Sequence, residues 1–248
     1  MNEPSRLLNK VPAITLFFWL IKILSTTVGE TGADYLAVNA GLGIVVTDAL
    51  MALLLAGALT LQLRASRYIP WTYWLTVVLL SVVGTQITDA LTDRLGVSLY
   101  WSTAAFAAAL AAVFALWYRI ERTLAIDTVV TPRREWFYWA VVLLTFALGT
   151  AAGDLATEAA GLGFRVGVVV FGLLIAAIYV AYLKGMHGVL AFWLAYILTR
   201  PLGAALGDFL SQAPEYGGAG LGTVMTSAVF LAMIAMLVAH LSRDADTL

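Results

Sequence analysis

Apolar positions run almost without interruption through eight stretches of the chain, and polar positions gather between them. The stretches are 11–28, 44–63, 70–91, 99–118, 136–156, 164–183, 188–209 and 222–241, with charged or turn-rich breaks at 64–68, 119–135 and 184–188. About 20 apolar residues carry an α-helix across a bilayer, so the pattern predicts eight spanning helices. The runs are continuous rather than alternating, which excludes the strand pattern of a membrane β-barrel. The first run follows Arg6 and Lys10, as the core of a signal peptide would. It contains Lys22, however, and meets Gly29-Glu30-Thr31 without an obvious small-x-small cleavage site, so it reads as a span.

Polar and small residues inside the runs repeat. Trp19, Gly29 and Asp34 are spaced by ten and then five residues, and the same W-x9-G-x4-D spacing returns at Trp74, Gly84, Asp89; at Trp139, Gly149, Asp154; and at Trp193, Gly203, Asp208. Composition alone would yield about 0.02 such matches, so duplication is the explanation. Seven residues beyond the first three aspartates stand Gly41, Gly96 and Gly161, and the fourth copy carries an insertion near 213–217 before Gly220-Leu221-Gly222. The copies take in about 10–66, 67–120, 134–184 and 187–243, within one transmembrane domain spanning 1–248.

Through Trp19, Trp74, Trp139 and Trp193 and the spacing around them, the chain resembles a bacterial family of integral membrane proteins made of four tandem repeats of unknown function. Each repeat of that family has two transmembrane segments and a characteristic tryptophan. The resemblance covers nearly the whole chain. It implies an all-α membrane fold of four helical-hairpin repeats and residence in a bacterial membrane, and it supplies no activity.

Two spans per repeat make successive copies enter the membrane in the same direction. They are therefore parallel repeats related by an axis along the membrane normal, an arrangement open to pseudo-four-fold symmetry. The four motif aspartates then lie at one depth. Residues four apart share a helix face, which gives the stripes Lys22/Thr26/Glu30/Asp34, Ser81/Thr85/Asp89/Asp93, Thr150/Asp154/Glu158 and Arg200/Ala204/Asp208/Gln212. Lipid is no destination for such stripes. The motif glycines lie on another flank, where small residues let helix backbones approach.

Composition agrees and adds exclusions. The 248 residues are 62% hydrophobic and 12% charged, with mean hydropathy +0.91, which leaves no room for a large aqueous domain. The chain has no cysteine, so disulfides, zinc-thiolate sites, iron–sulfur clusters and thiol nucleophiles are excluded. No phosphate-binding glycine motif and no serine–histidine–aspartate arrangement is present. Enzyme chemistry is not indicated, and no nucleic-acid partner is expected.

Charge is distributed unevenly. With the N-terminus in the cytoplasm, that side receives Arg6, Lys10, Arg64, Arg67, Arg119, Arg122, Arg133, Arg134, Lys184 and Arg243, against Arg94 and Arg165 opposite. Positive residues favour the cytoplasm, so both termini are expected there, in a bacterial inner membrane. The outer ends collect Glu30, Asp34, Asp89, Asp93, Asp154, Glu158, Asp208 and Glu215, and Asp48 could join them.

Clustered carboxylates suit hard, oxygen-preferring cations, and in a low-dielectric site they also carry protons. The expectation is a small transporter or channel for an inorganic cation, a divalent metal such as manganese ahead of monovalent ions. Asp34, Asp89, Asp154 and Asp208 would be the primary site, with Glu30, Asp93 and Glu158 as a second layer. Lys22 and Arg200, cations inside spans, would tune charge or switch partners during gating, and Pro201 would kink the seventh span. The same stripes also fit a non-transporting sensor or scaffold with an internally paired polar core. A membrane-embedded metal-dependent enzyme is a third reading. The bilayer is the expected partner, and a homo-oligomer is compatible with the pattern.

Overall fold

The computed structural model describes residues 9–38 and 43–246; within these, the side chains of 34, 36–38 and 244–246 are not described. Among the described residues the fold is all-helical. Eight long α-helices follow one another: α1 (Leu16–Val38), α2 (Ile44–Arg64), α3 (Pro70–Asp89), α4 (Leu99–Glu121), α5 (Pro132–Asp154), α6 (Phe164–Leu183), α7 (Gly188–Ser211) and α8 (Thr223–Asp246). Seven of them, α2 to α8, are long and apolar enough to cross a membrane. The remaining helix, α1, is 23 residues long and carries Lys22 and Glu30 in its interior. Both side chains are buried by the surrounding helices, as are Ser25, Thr26, Thr27 and Thr31.

The odd-numbered helices form a closed inner ring, in which α1 packs on α3, α3 on α5, α5 on α7, and α7 back on α1. The even-numbered helices stand outside it. Their apolar surfaces stay bare, as at Val45 (75% exposed), Leu53 (71%), Trp101 (73%) and Leu173 (64%). Helices that are hydrophobic all round belong against lipid, whereas the inner helices α3, α5 and α7 bury half or more of the positions in their apolar windows. The expected architecture of four parallel two-helix repeats thus has pseudo-four-fold form, with one refinement. The two helices of a repeat make little contact with each other. Each outer helix instead packs on the inner helix of the next repeat: α2 on α3, α4 on α5, α6 on α7, and α8 on α1. The last helix therefore closes the ring onto the first.

The repeated residues build this ring. A Cβ placed on Gly29 of α1 would meet the Ser81 side chain of α3; on Gly84, Phe146 of α5; on Gly149, Arg200 of α7; and on Gly203, Thr26 of α1. Every contact joins a motif glycine to the residue three before the glycine of the next repeat, so one packing rule runs four times round the ring. Close approach also allows threonine hydroxyls to reach carbonyls across the interface, as Thr26 Oγ1 to Thr199 O (3.2 Å) and Thr88 Oγ1 to Ala147 O (3.0 Å). Small residues at interfaces are how helices associate where solvent supplies no hydrophobic drive.

The tryptophans obey a similar rule at the other end of the ring, where the inner helices begin. The aromatic residue before each tryptophan meets the tryptophan of a neighbouring repeat: Phe18 with Trp74 (ring centroids 5.6 Å apart), Tyr73 with Trp139 (5.4 Å), Tyr138 with Trp193 (6.2 Å) and Phe192 with Trp19 (5.6 Å). These spacings suit aromatic pairs. Indole N–H groups find acceptors in Tyr68 Oη (3.0 Å), Leu124 O (2.9 Å) and, at 3.5 Å, Glu135 Oε1.

At the opposite end, α3 and α5 run on as single π-turns, Ala90–Arg94 and Leu155–Ala159, which begin immediately after Asp89 and Asp154. Gly96 (φ 67°) and Gly161 (φ 70°) follow in left-handed conformation, which accounts for glycine seven residues beyond these aspartates. Gly41, the first-repeat counterpart, lies outside the described residues.

Candidate functional site

The π-turn end of the ring opens into a cavity of about 310 Å³. Its walls hold Asp89, Asp154, Asp208, Glu30, Asp93 and Glu158 together with Asp48, Gln86, Thr92, Arg94 and Gln212. Six of the seven carboxylates expected at a common site therefore share one cavity. The seventh, Asp34, has its side chain outside the described residues. Glu30 and Asp208 are deeply set (7% exposed each), Asp89 and Asp154 are half-buried, and Asp93 and Glu158 form the exposed rim.

Parallel repeats explain the convergence. Each inner helix reaches the same level at its motif aspartate, so residues far apart in the chain meet round one axis. The carboxylates are close enough to act on one another: Asp154 feels the charges of Glu30, Glu158 and Asp89, and Glu158 those of Glu30 and Asp93. Arg94 tempers the rim by pairing with Asp48.

Among the described residues, no three histidine, aspartate or glutamate side chains come together as a metal-gripping cluster. The arrangement is a concave, negatively charged vestibule rather than a coordination cage. Such a shape concentrates cations by focusing the field of its walls, and leaves space for them to keep their water.

Its floor is an ion pair. Arg200, fully buried, reaches across from α7 to donate through Nη2 to Glu30 Oε2 (2.5 Å) and to Thr85 Oγ1, and through Nη1 to Thr26 O (3.2 Å). One side chain thereby ties the fourth repeat to the first and second. Its stem lies against Gly149, and Pro201 beside it packs on Gly153. Pro201 sits inside α7, which continues through it from Gly188 to Ser211. One helical turn further from the vestibule, Lys22 extends from α1 over the rings of Phe146 (3.9 Å) and Tyr196 (4.2 Å). Beyond it come the aromatic pairs of the tryptophan level.

Past that aromatic level lies a second, wider cavity of about 870 Å³, walled by Phe18, Tyr68, Trp74, Phe192 and the 9–15 segment. Burial pushes the Tyr68 phenol well above its ordinary pKa, so its oxygen keeps its proton while accepting from Trp74. Between the two cavities, Glu30–Arg200, Lys22 and the aromatic pairs close the axis.

Sequence reasoning missed a second buried ion pair at this end. Lys10 Nζ donates to Glu135 Oε2 (2.6 Å) and to Leu63 O (3.0 Å), and Gln62 Nε2 donates to Glu135 Oε1 (3.2 Å). Lys10 had counted only as a cytoplasmic positive charge. The available signal was Glu135, an acid one turn before Trp139 where the other repeats carry Thr15, Pro70 and Val189. Gln212 shares the vestibule wall as the last member of its polar stripe, whereas Gln86 and Thr92 had no signal beyond their place near the aspartates.

Fold and repeats together define a multi-pass helical membrane protein assembled from tandem two-helix units around a closed inner ring. Comparison of its sequence with family models identifies which one. The family described as Repeat of Unknown Function (DUF347) matches at residues 17–68, 72–123, 137–185 and 191–246, and the chain belongs to it. No curated protein and no solved structure matches it.

Proposed function

We propose that the protein is a small cation transporter or channel of the bacterial inner membrane, with both termini in the cytoplasm and the carboxylate vestibule facing outward. The observation that carries this reading is the convergence of six motif-related carboxylates on one cavity at the head of a closed helical ring. Acids placed at helix C-termini oppose the helix dipole, so helix stability gives no reason for repeating them. The basic residues of the 64–68 and 119–135 segments favour the cytoplasm for the opposite end.

The ligand in this reading is a hydrated inorganic cation, a divalent ion of the magnesium or manganese kind ahead of monovalent ions. These metals retain several waters and bind through one or two carboxylates, which is compatible with walls that do not form a three-ligand cluster. Asp89, Asp154 and Asp208 with Asp34 act as the primary acids; of the second layer, Asp93 and Glu158 draw ions in at the rim and Glu30 stands at the floor. The described conformation is a closed one, in which Arg200 occupies Glu30 and Lys22 opposes any cation moving down the axis. Opening requires Glu30 to change partner.

Flux of Mn2+, Mg2+ and Na+ into liposomes containing the purified protein tests the proposal. Asp89→Asn and Asp154→Asn should each lower flux about 10-fold or more, as expected from removing a charge that enters the conduction step. Unchanged flux in both variants overturns it. The buried Glu30–Arg200 and Lys10–Glu135 pairs favour a second reading, a non-transporting module with an internally paired polar core. That reading predicts no flux in the wild type and losses of stability alone in the variants.

A further inference from the structure

Carboxylates make up most of the polar wall of the vestibule, and Gln86 of α3 is an uncharged exception. It lines the cavity three residues before Asp89 and seven before Asp93, yet is only 8% exposed. Its Oε1 is fully covered and meets no donor among the described residues. Donors along its own helix are already engaged. Thr85 Oγ1 gives its proton to Ser81 O (3.1 Å), Thr88 Oγ1 to Ala147 O (3.0 Å) and Thr92 Oγ1 to Thr88 O (3.0 Å), while Arg94 pairs with Asp48. A buried acceptor left unpaired is costly, and packing gives no reason to keep one here. Three residues before the motif aspartate the other repeats carry Thr31, Ala151 and Ala205, all buried, so the ring closes at that level round small side chains. The amide is an addition of the second repeat, at a wall where a partner can come from the cavity.

We propose that Gln86 is a specificity-determining residue of the cation site, its amide oxygen joining Asp89 in binding the ion. The inference rests on the cation reading and adds to it a residue outside the repeated acids. Hard divalent cations take carbonyl oxygens beside carboxylates and water. Among the described residues the acids alone do not assemble a three-ligand cluster, and a neutral oxygen helps to complete the set. The terminal torsion of glutamine is broad and two-fold, so Oε1 turns from wall to cavity with the stem in place. Wall charge attracts every cation, whereas a neutral oxygen adds binding only for ions that shed water to meet it. That makes Gln86 a device for selectivity rather than attraction.

The test is Mn2+ binding to the purified protein in detergent, read from the loss of the free-ion EPR signal, with no transport step. The wild type should bind saturably, and Asp89→Asn should weaken binding. Gln86→Met, close in volume but without a hard donor, should raise the Mn2+ Kd about 10-fold or more. Its Tm in metal-free buffer should stay level or rise, because a costly unpaired acceptor has gone. Gln86→Glu, which keeps an oxygen at that place, should retain binding. A purely structural glutamine predicts the opposite pair of results in Gln86→Met, a lower metal-free Tm and an unchanged Kd. An unchanged Kd overturns the proposal whatever the Tm. Should Gln86→Met not fold, Gln86→Ala, which introduces the residue of the third and fourth repeats, decides by the same Kd. If the wild type binds no Mn2+, the cation reading falls and this inference with it. If the wild type binds and Asp89→Asn weakens it while the Gln86 variants do not, the role of Gln86 alone is refuted.

Discussion

Substituting alanine for glycine at six positions tests the ring. At Gly29 the new Cβ would stand 2.5 Å from Ser81 Cβ; at Gly84, 2.6 Å from Phe146 Cβ; at Gly149, 2.5 Å from both Cβ and Cγ of Arg200; and at Gly203, 2.6 Å from Thr26 Cβ. Carbon atoms pack comfortably near 3.5–4.0 Å. The obstructing atoms sit at or next to the backbone of a packed helix, so no side-chain swing relieves them; the helices must separate. Overpacking of this sort costs about 1–3 kcal/mol. Gly57 on α2 and Gly172 on α6 are the controls, because a Cβ there meets nothing within 4 Å. In them only helix propensity acts, and alanine gains about 0.5–1 kcal/mol.

Thermal unfolding in one detergent reads the difference. At about 2–4 °C per kcal/mol for a chain of this size, the four motif variants should melt about 2–12 °C lower than the wild type. The two control variants should melt at the wild-type temperature or slightly above it. Comparable effects at all six positions would refute the ring as built, because they would mean that the motif glycines are no more closely approached than glycines on the outer helices. A large loss at Gly29 and Gly203 with none at Gly84 and Gly149 would refute the four-fold rule in particular.

Two further outcomes follow from the ion pair and from the lack of cysteine. Arg200→Met leaves Glu30 as an unpaired buried carboxylate, so it should lose about 3–5 kcal/mol in chemical denaturation, whereas Arg200→Met combined with Glu30→Gln should recover most of that loss; a double variant no more stable than the single one would show that the pair is not the unit. Because the chain has no cysteine, single cysteines report sidedness: Ser98→Cys at the vestibule end should react with a membrane-impermeant maleimide in intact cells, and Ser66→Cys should react only after lysis, the reverse result inverting the proposed orientation.

The helices and the vestibule were legible for different reasons. Runs such as 44–63 and 164–183 are apolar all round, and bilayer thickness alone sets what they must be. The vestibule followed from arithmetic, since two spans per repeat put Asp89, Asp154 and Asp208 at one end whatever the details of packing. Sequence spacing says nothing about which helix an outer span leans on, however. That choice depends on side-chain volumes at facing positions, and the pairing of Gly29 with Ser81 or Gly203 with Thr26 involves residues in different repeats. The π-turns after Asp89 and Asp154 were hidden for a further reason: one extra residue in a helical turn leaves hydrophobicity unchanged. The pairing of Lys10 was not legible because a lysine near a span end ordinarily snorkels to water, while here it reaches Glu135 and the Leu63 carbonyl in the interior.

Where the chemistry departs from the symmetry, it does so without disturbing the packing. Arg200 stands at the position held by Thr26, Ser81 and Phe146 in the other repeats, each of which fills the space opposite a motif glycine. The arginine does the same with its stem, through Cβ and Cγ against Gly149, and the guanidinium is then carried clear of the interface to Glu30 and Thr85 on the axis. A long side chain satisfies two demands that a serine or phenylalanine there cannot. Lys22 likewise replaces Val77 and Val142 at a level that is otherwise apolar or aromatic, and lays its amine on Phe146, the third-repeat counterpart of Arg200. Lys22 and Glu30 belong to the first repeat and Arg200 to the fourth, the two copies whose inner helices meet where the ring closes. That junction is therefore where an asymmetric set of buried charges has been fitted into an otherwise four-fold scaffold, and where, on the proposed function, substitutions should alter flux with the least damage to the other interfaces.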